Sequence, residues 1–239
     1  MSTIVISRRF CGPPNSGNGG YVCGRLAAAI EGAASVRLTA PTPLETELRI
    51  ETSNGAAKLW HGSSMIAEAK AAAVELAPPR VPSYAQAETS AGRYLGFARH
   101  PFPRCFVCGP ERRAGDGLRI FPGSLDADGV VAGPWIPDRS LANDSAVIGH
   151  EFLWAALDCT SGFAVLPIPE GKAIVLGELS ARIDGNVAPD DKCVVVGWPL
   201  RIEGRKRFSA AAVLRDSGEL LAIGCATWIE VAASAFGGQ

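Results

Sequence analysis

One stretch limits the fold more than any other: AVIGHEFLWAALDCTSGFAVL, Ala146–Leu166. After Glu151 its only charge is Asp158, and nearly every other residue is apolar or small. A helix that is apolar on almost all sides is wrapped by protein rather than laid on a surface. A carboxylate in the middle of such a helix is costly unless it is paired or used. Glu151, Trp154, Asp158 and Ser161 or Gly162 recur at spacings of three and four, which puts them on one helical face. The stretch therefore predicts a helix wrapped by a sheet, with Asp158 looking into a ligand cleft. The plainer alternative is a buried aspartate satisfied by backbone or hydroxyl donors.

The rest of the chain can supply the wrapping. Its 239 residues are 47% hydrophobic and 20% charged, enough for a substantial core in one large domain or two smaller ones. A net charge of −1 creates no field for a polyanion or a lipid surface, so neither nucleic acid nor membrane is expected as a partner. The seven cysteines are odd in number and scattered, without the spacing of a disulfide framework. The opening MSTIVISRRF has too short an apolar run for a secretion signal, and a reducing cytoplasm is the expected compartment.

Taken in order, residues 3–9 predict a strand, and the Gly- and Pro-rich loop 10–20 leads into a helix over 21–32. The end of that loop, Asn15 to Gly20, delivers backbone N–H groups to a helix N-terminus, which attracts a carbonyl oxygen or an anion. Asn15, Ser16 and Asn18 are equally suited to plain capping or turns. Residues 36–38, 44–51, 57–64 and 65–76 predict strands, with Asn54-Gly55 as a hairpin turn. The last is Ala-rich and helical by propensity; it reads as strand because the end of the chain repeats its pattern. His61, alone on a strand, reads as structural. Residues 77–103, with their prolines, predict a linker. Cys105 and Cys108 make half of a zinc site. No second pair exists and only His100 lies nearby in sequence, so the reading is a packed turn and no metal is expected. Strands are predicted at 117–121, 129–135, 173–183, 192–199, 208–215 and 220–231.

The two halves share a grammar. Each has a strand, a loop with Gly or Asn, a helix of small and apolar residues, and several strands joined by polar turns. Each also ends in an Ala-rich strand, MIAEAKAAAVEL (65–76) and LLAIGCATWIEV (220–231). Identity between them is slight, so the repeat rests on pattern. At this point the chain resembles the hot-dog superfamily in its tandem form, nearest to the acyl-CoA thioesterase-like branch. The residues that carry this are PNSGNGGYVCG (14–24) and HEFLWAALDC (150–159). The resemblance implies an α+β double hot-dog, each half an antiparallel sheet wrapped around a central helix. Its parts would be an N-terminal unit over 1–76, a Pro-rich linker with the Cys-x-x-Cys turn over 77–116, and a C-terminal unit over 117–239. One departure stands out. The His-Gly-Gly usual in that family is Asn18-Gly19-Gly20 here, and the first helix carries Arg25 but no internal carboxylate.

The resemblance also implies a chemistry: hydrolysis of an acyl thioester between the two units. Backbone donors from Gly19, Gly20 or Tyr21 would polarise the carbonyl. Asp158 would act as base or nucleophile, with Asn18 or Asn15 orienting substrate or water and Glu151 as the substitute acid. The mate site, at the His150-Glu151 start of the second helix, lacks a matching acid and is expected to be inactive or altered. Arg201, Arg205, Lys206 and Arg207 would bind the phosphates of coenzyme A, unless they form only a solvated turn. Trp154, Phe152 or Trp198 would line the acyl pocket. No cofactor is expected beyond a coenzyme A thioester as substrate, and a homodimer is a further expectation. Two other readings stay open: a hot-dog hydratase or dehydratase using His150 with Asp158, and a non-catalytic acyl-CoA-binding module.

Overall fold

The computed structural model describes residues 2–125 and 127–235. The first half runs β1 (Ser2–Val5), α1 (Gly19–Ala27), β2 (Ala34–Leu38), β3 (Glu47–Ser53), β4 (Ala56–His61) and β5 (Ser64–Ala71). A short α2 (Tyr84–Ala91) follows. The second half runs β6 (Gly123–Ser124), β7 (Val131–Trp135), α3 (His150–Phe163), β8 (Lys172–Ile183), β9 (Cys193–Glu203), β10 (Lys206–Arg215) and β11 (Leu220–Ala232).

All eleven described strands form one antiparallel sheet in the order β1-β3-β4-β5-β2-β8-β11-β10-β9-β7-β6. The halves join where β2 pairs with β8, Val36 opposite Leu179 and Ala34 opposite Ala181. Read outward from that seam, the order on one side is β2, β5, β4, β3, β1 and on the other β8, β11, β10, β9, β7. The corresponding strands follow the same chain order in each half. The seam removes two exposed edges that each half alone would present to solvent.

Every residue of α3 from Phe152 to Gly162 is buried. Its Leu and Ala residues favour helix. Gly149 begins it with no side-chain cap, and Pro167 lies just beyond Ala164, where it stops. Glycines let α3 lie close on the sheet. A Cβ at Gly197 of β9 would come within 2.7 Å of Thr160 O, and one at Gly162 within 2.8 Å of the Trp228 ring. α1 packs beside α3 by the same device, through Gly20 and Gly24. A Cβ at Gly20 would meet Asp158 Cβ at 2.4 Å and Trp154 O at 2.5 Å; one at Gly24 would meet Glu151 Cα at 2.5 Å. Because Gly20 faces residues 154–158 while Gly24 faces 151–154, the two helices run antiparallel.

The differences from the sequence reading have physical causes. The first helix spans 19–27, not 21–32, and the second 150–163 within the expected 146–166. The Ala-rich run at 65–76 is a strand over Ser64–Ala71, because β2 and β4 pair with it on both sides. The expected strand at 117–121 is not in the sheet. Its donors go instead to the cysteine turn: Leu118 N–H to Phe106 O (2.8 Å) and Ile120 N–H to Val107 O (3.0 Å). The linker holds an element of its own, α2, capped by a reciprocal pair in which Gln86 N–H donates to Ser83 Oγ and Ser83 N–H to Gln86 Oε1. α2 covers the face of the sheet opposite α3. There Ala87 packs with Val194, Val196, Trp198 and Ala210. Side chains alternate along a strand, so Trp198 faces α2 and does not line a space beside α3.

Candidate functional site

The loop before α1 turns back on itself. Asn18 N–H donates to Phe10 O at 2.8 Å and Gly17 N–H to Thr42 O at 3.0 Å. Phe10 stacks on Tyr21 with centroids 4.2 Å apart, and Phe106 and Phe152 complete the cluster. Asn18 is thereby held as N-cap, its Oδ1 accepting from Tyr21 N–H at 2.9 Å. Its amide is then free to point the other way. Asn18 Nδ2 donates to Asp158 Oδ2 at 3.1 Å, and Gly20 N–H donates to the same oxygen at 2.8 Å.

So the N-terminus of α1 and the middle of α3 meet at one carboxylate. Asp158 is 2% exposed. Burial pushes its carboxyl up to about 7, against the lowering effect of the Gly20 N–H and the Asn18 amide, while negative charge at Cys105 adds to the rise. Oδ1 is buried and has no hydrogen-bond partner among the described residues. A carboxylate that keeps one oxygen uncommitted in the interior costs stability, and such costs concentrate at working sites. The part of this junction that reaches toward solvent is Gly19, half-buried under Leu176 and Leu38 at the β2–β8 seam.

On the far side of Asn18 lie three thiols. Asn18 Nδ2 is 3.6 Å from Cys159 Sγ and 3.9 Å from Cys105 Sγ. The Cys108 and Cys159 thiols hold Cys105 well below the usual thiol range, and both of them are pushed up in turn. Cys159 follows Asp158 on α3, so this group adjoins the carboxylate.

The remaining candidates are dispersed. Trp154 is buried in the helix contact against Gly20 and Gly24. Glu151 lies at the other end of that contact, across from Gly24. Asn15 is exposed in the loop. His150 is exposed at the start of α3, its Nε2 3.3 Å from Asn186 Oδ1, in a shallow cleft with Ile183, Asp184 and Gly185. It is not assembled with Asp158. The four basic residues of the β9–β10 hairpin divide. Arg205 and Lys206 are exposed, and Arg201 pairs with Glu203 at 2.6 Å over the Phe208 ring. Arg207 faces inward, 9% exposed. It is bound to Glu230 (2.5 Å) and donates to the carbonyls of Val165 (2.9 Å) and Pro167 (3.1 Å). It is committed to holding the end of α3, not offered to a phosphate.

Sequence reasoning missed Cys159 as a neighbour of the cysteine pair. The sole signal was a third cysteine next to the helix acid. It also did not foresee that Asn18 would bridge its own cap, the acid and two thiols. Among the described residues, no helix is long and apolar enough to cross a membrane.

No family model matches the chain, and no curated protein sequence matches it. Solved structures do. A candidate thioesterase from Novosphingobium aromaticivorans is 15% identical with a TM-score of 0.58, over 95% of this chain and 94% of that one. A hot-dog protein of unknown function from Alicyclobacillus acidocaldarius is 14% identical with a TM-score of 0.61, over 96% and 92%. The tesB protein of Mycobacterium avium subspecies paratuberculosis is 14% identical with a TM-score of 0.58, over 92% and 89%. At such identities the likeness shows the fold, and the fold is the hot-dog.

Proposed function

We propose that the chain hydrolyses an acyl thioester, with coenzyme A as the carrier, at the junction of α1 and Asp158. In this reading residues 1–76 and 117–239 are two hot-dog units fused through one sheet. Each wraps a central helix, and the active site lies between them. The observation that carries it is Asp158: one oxygen rests on the Gly20 N–H at a helix N-terminus, and the other has no partner among the described residues. Several full-length structural neighbours being described as thioesterases supports the same chemistry.

The acyl group would approach over Gly19, parting Leu38 and Leu176. Its carbonyl oxygen would take the N–H groups of Gly19 and Gly20, which stabilise the negative charge that forms there; one such donor lowers the barrier by about 3 kcal/mol. Tyr21 N–H is already used by Asn18, so the donor set is narrower than the sequence suggests. Asp158, displaced from Gly20, takes a proton from water as it adds to the carbonyl carbon. The tetrahedral adduct collapses, the C–S bond breaks, and the proton held by Asp158 passes to the departing thiolate. Asn18 keeps the carboxylate aligned throughout. A carboxyl near 7 is matched to this task at neutral pH. Arg201, Arg205 and Lys206 remain as groups for the coenzyme A phosphates. The separation of His150 from Asp158 weighs against a hydratase.

The test is a panel of short, long and aromatic acyl-CoA thioesters with detection of free thiol, run on the wild type and on Asp158→Asn. Thiol release by the wild type and its loss in the variant support the proposal. Equal release by both, or none by either on every thioester, overturns it.

A further inference from the structure

The thiol group beside Asn18 is more than packing. We infer that Cys105, Cys108 and Cys159, with His100 as fourth donor, form a tetrahedral site for a thiophilic divalent cation, zinc or its cobalt substitute.

Three thiols from two segments converge in the interior, and the half-buried His100 reaches one of them. The three Sγ atoms all lie within 4.8 Å of one another, and each cysteine is buried. Cys105 Sγ and Cys159 Sγ are 3.7 Å apart. Two thiolates on one tetrahedral zinc, each bonded at about 2.3 Å, stand about 3.8 Å apart. His100 Nε2 is 3.3 Å from Cys108 Sγ, against about 3.5 Å for imidazole and thiolate on the same tetrahedral ion. Three thiolates and one imidazole are a donor set that suits zinc.

The turn is also shaped for this. The turn closes so tightly that a Cβ at residue 109 would lie 2.5 Å from Cys105 O and 2.6 Å from Cys105 N, so only glycine fits. Asn18 Nδ2 lies near both Cys105 and Cys159 sulfurs, as amide donors around a metal's thiolates do. His100 Nδ1 now accepts from Phe102 N–H at 2.9 Å. Binding moves the ring proton from Nε2 to Nδ1, gives up that contact, and frees the Nε2 lone pair for the ion. The sulfurs release their protons to solvent, leaving a cation with three thiolates and a neutral imidazole, net charge −1.

Such an ion ties the segment between the halves to α3 at the residue after Asp158. Its role is to hold position, since all four protein donors close the coordination sphere. The inference stands apart from the proposed hydrolysis, and its readout is metal, not turnover.

The test uses the full chain purified without chelator and without a histidine tag. Elemental analysis is expected to find about one zinc per chain. Cobalt exchanged into the reduced protein is expected to give thiolate-to-cobalt charge-transfer bands. Cys159→Ser should cut metal content at least tenfold, and His100→Ala should weaken cobalt affinity by about 10- to 100-fold. His61→Ala, outside the cluster, should keep the wild-type content. Because Cys159→Ser could unfold the chain, the wild type alone also decides. Folded, reduced protein that holds under about a tenth of an equivalent after exposure to zinc, and shows no cobalt band, overturns the inference. So does a native Cys105–Cys159 disulfide in metal-free protein, which would make the pair a redox couple.

Discussion

The two ends of the α1/α3 pair are built on one plan and differ in what they present. At one end the N-terminus of α1, Asn18-Gly19-Gly20, meets Asp158. At the other the N-terminus of α3, Gly149-His150-Glu151, meets the last turn of α1. Asp158 is the ninth residue of α3, and the ninth residue of α1 is Ala27. The first end has a side-chain cap that also binds the acid; the second has Gly149, which caps with no side chain. In the proposed reading the two ends are corresponding places for a site, and Asn18 with Asp158 marks the one that works. Gly20 at one end and Gly24 at the other let the helices touch.

The sharpest way to break this comparison is by activity. Asp158→Asn is expected to lower kcat/KM for the best thioester by about 100- to 10,000-fold. Glu151→Gln, at the other end, should change it by less than about threefold. Equal losses would mean that the two ends are equivalent. Next in size is the response to pH. A base must be ionised to act, so kcat/KM is expected to climb up to about pH 7 and level off above it. Stability runs the other way. The folded carboxyl is raised to about 7 by burial. Its protonated form is favoured in the fold, so the contribution is full below the unfolded carboxylate value and lost as pH rises through about 7. Each tenfold difference in proton affinity between the folded and unfolded chain is worth about 1.4 kcal/mol. Asp158→Asn should therefore raise the thermal midpoint more at pH 8 than at pH 5, and least below the unfolded carboxylate value.

Gly20→Ala is expected to cost about 3 kcal/mol in urea unfolding, because its Cβ meets backbone as well as Asp158. A cost under about 0.5 kcal/mol would show that the helices stand farther apart. Placing an acid at the silent end by Ala27→Asp should cost about 2 kcal/mol and create no second activity, since Ala27 is buried and no asparagine cap stands opposite. The smallest effect is expected at the hairpin. Lys206→Ala should raise KM by about threefold at low salt and not at high salt, as an exposed charge on a phosphate would.

Much of this was legible along the chain. An apolar helix with one acid reads as wrapped, because no other placement hides that many apolar side chains. Two glycines after Asn18 read as a helix start with accessible N–H groups. The later strands stand close to where the sequence put them, though β9 runs on to Glu203 and β10 starts already at Lys206. The Ser83-x-x-Gln86 box in the linker went unread, because the prolines around it masked a two-turn helix. Arg207 misled because a basic run at a hairpin looks solvated. Its strand phase turns that one side chain inward toward Glu230 and the end of α3, which neighbouring residues do not reveal.

By itself, the sequence determined the two long helices, most of the strands and the presence of one buried acid, because these follow from periodicity and composition within a few turns of chain. Tertiary structure alone decided that the acid would sit on the Gly20 N–H, that Asn18 would bridge it to sulfur, and that Cys159 and His100 would join the cysteine turn. Those outcomes depend on the sheet seam and on the depth to which glycine lets two helices approach. They are distances between segments remote along the chain, and no local pattern carries them.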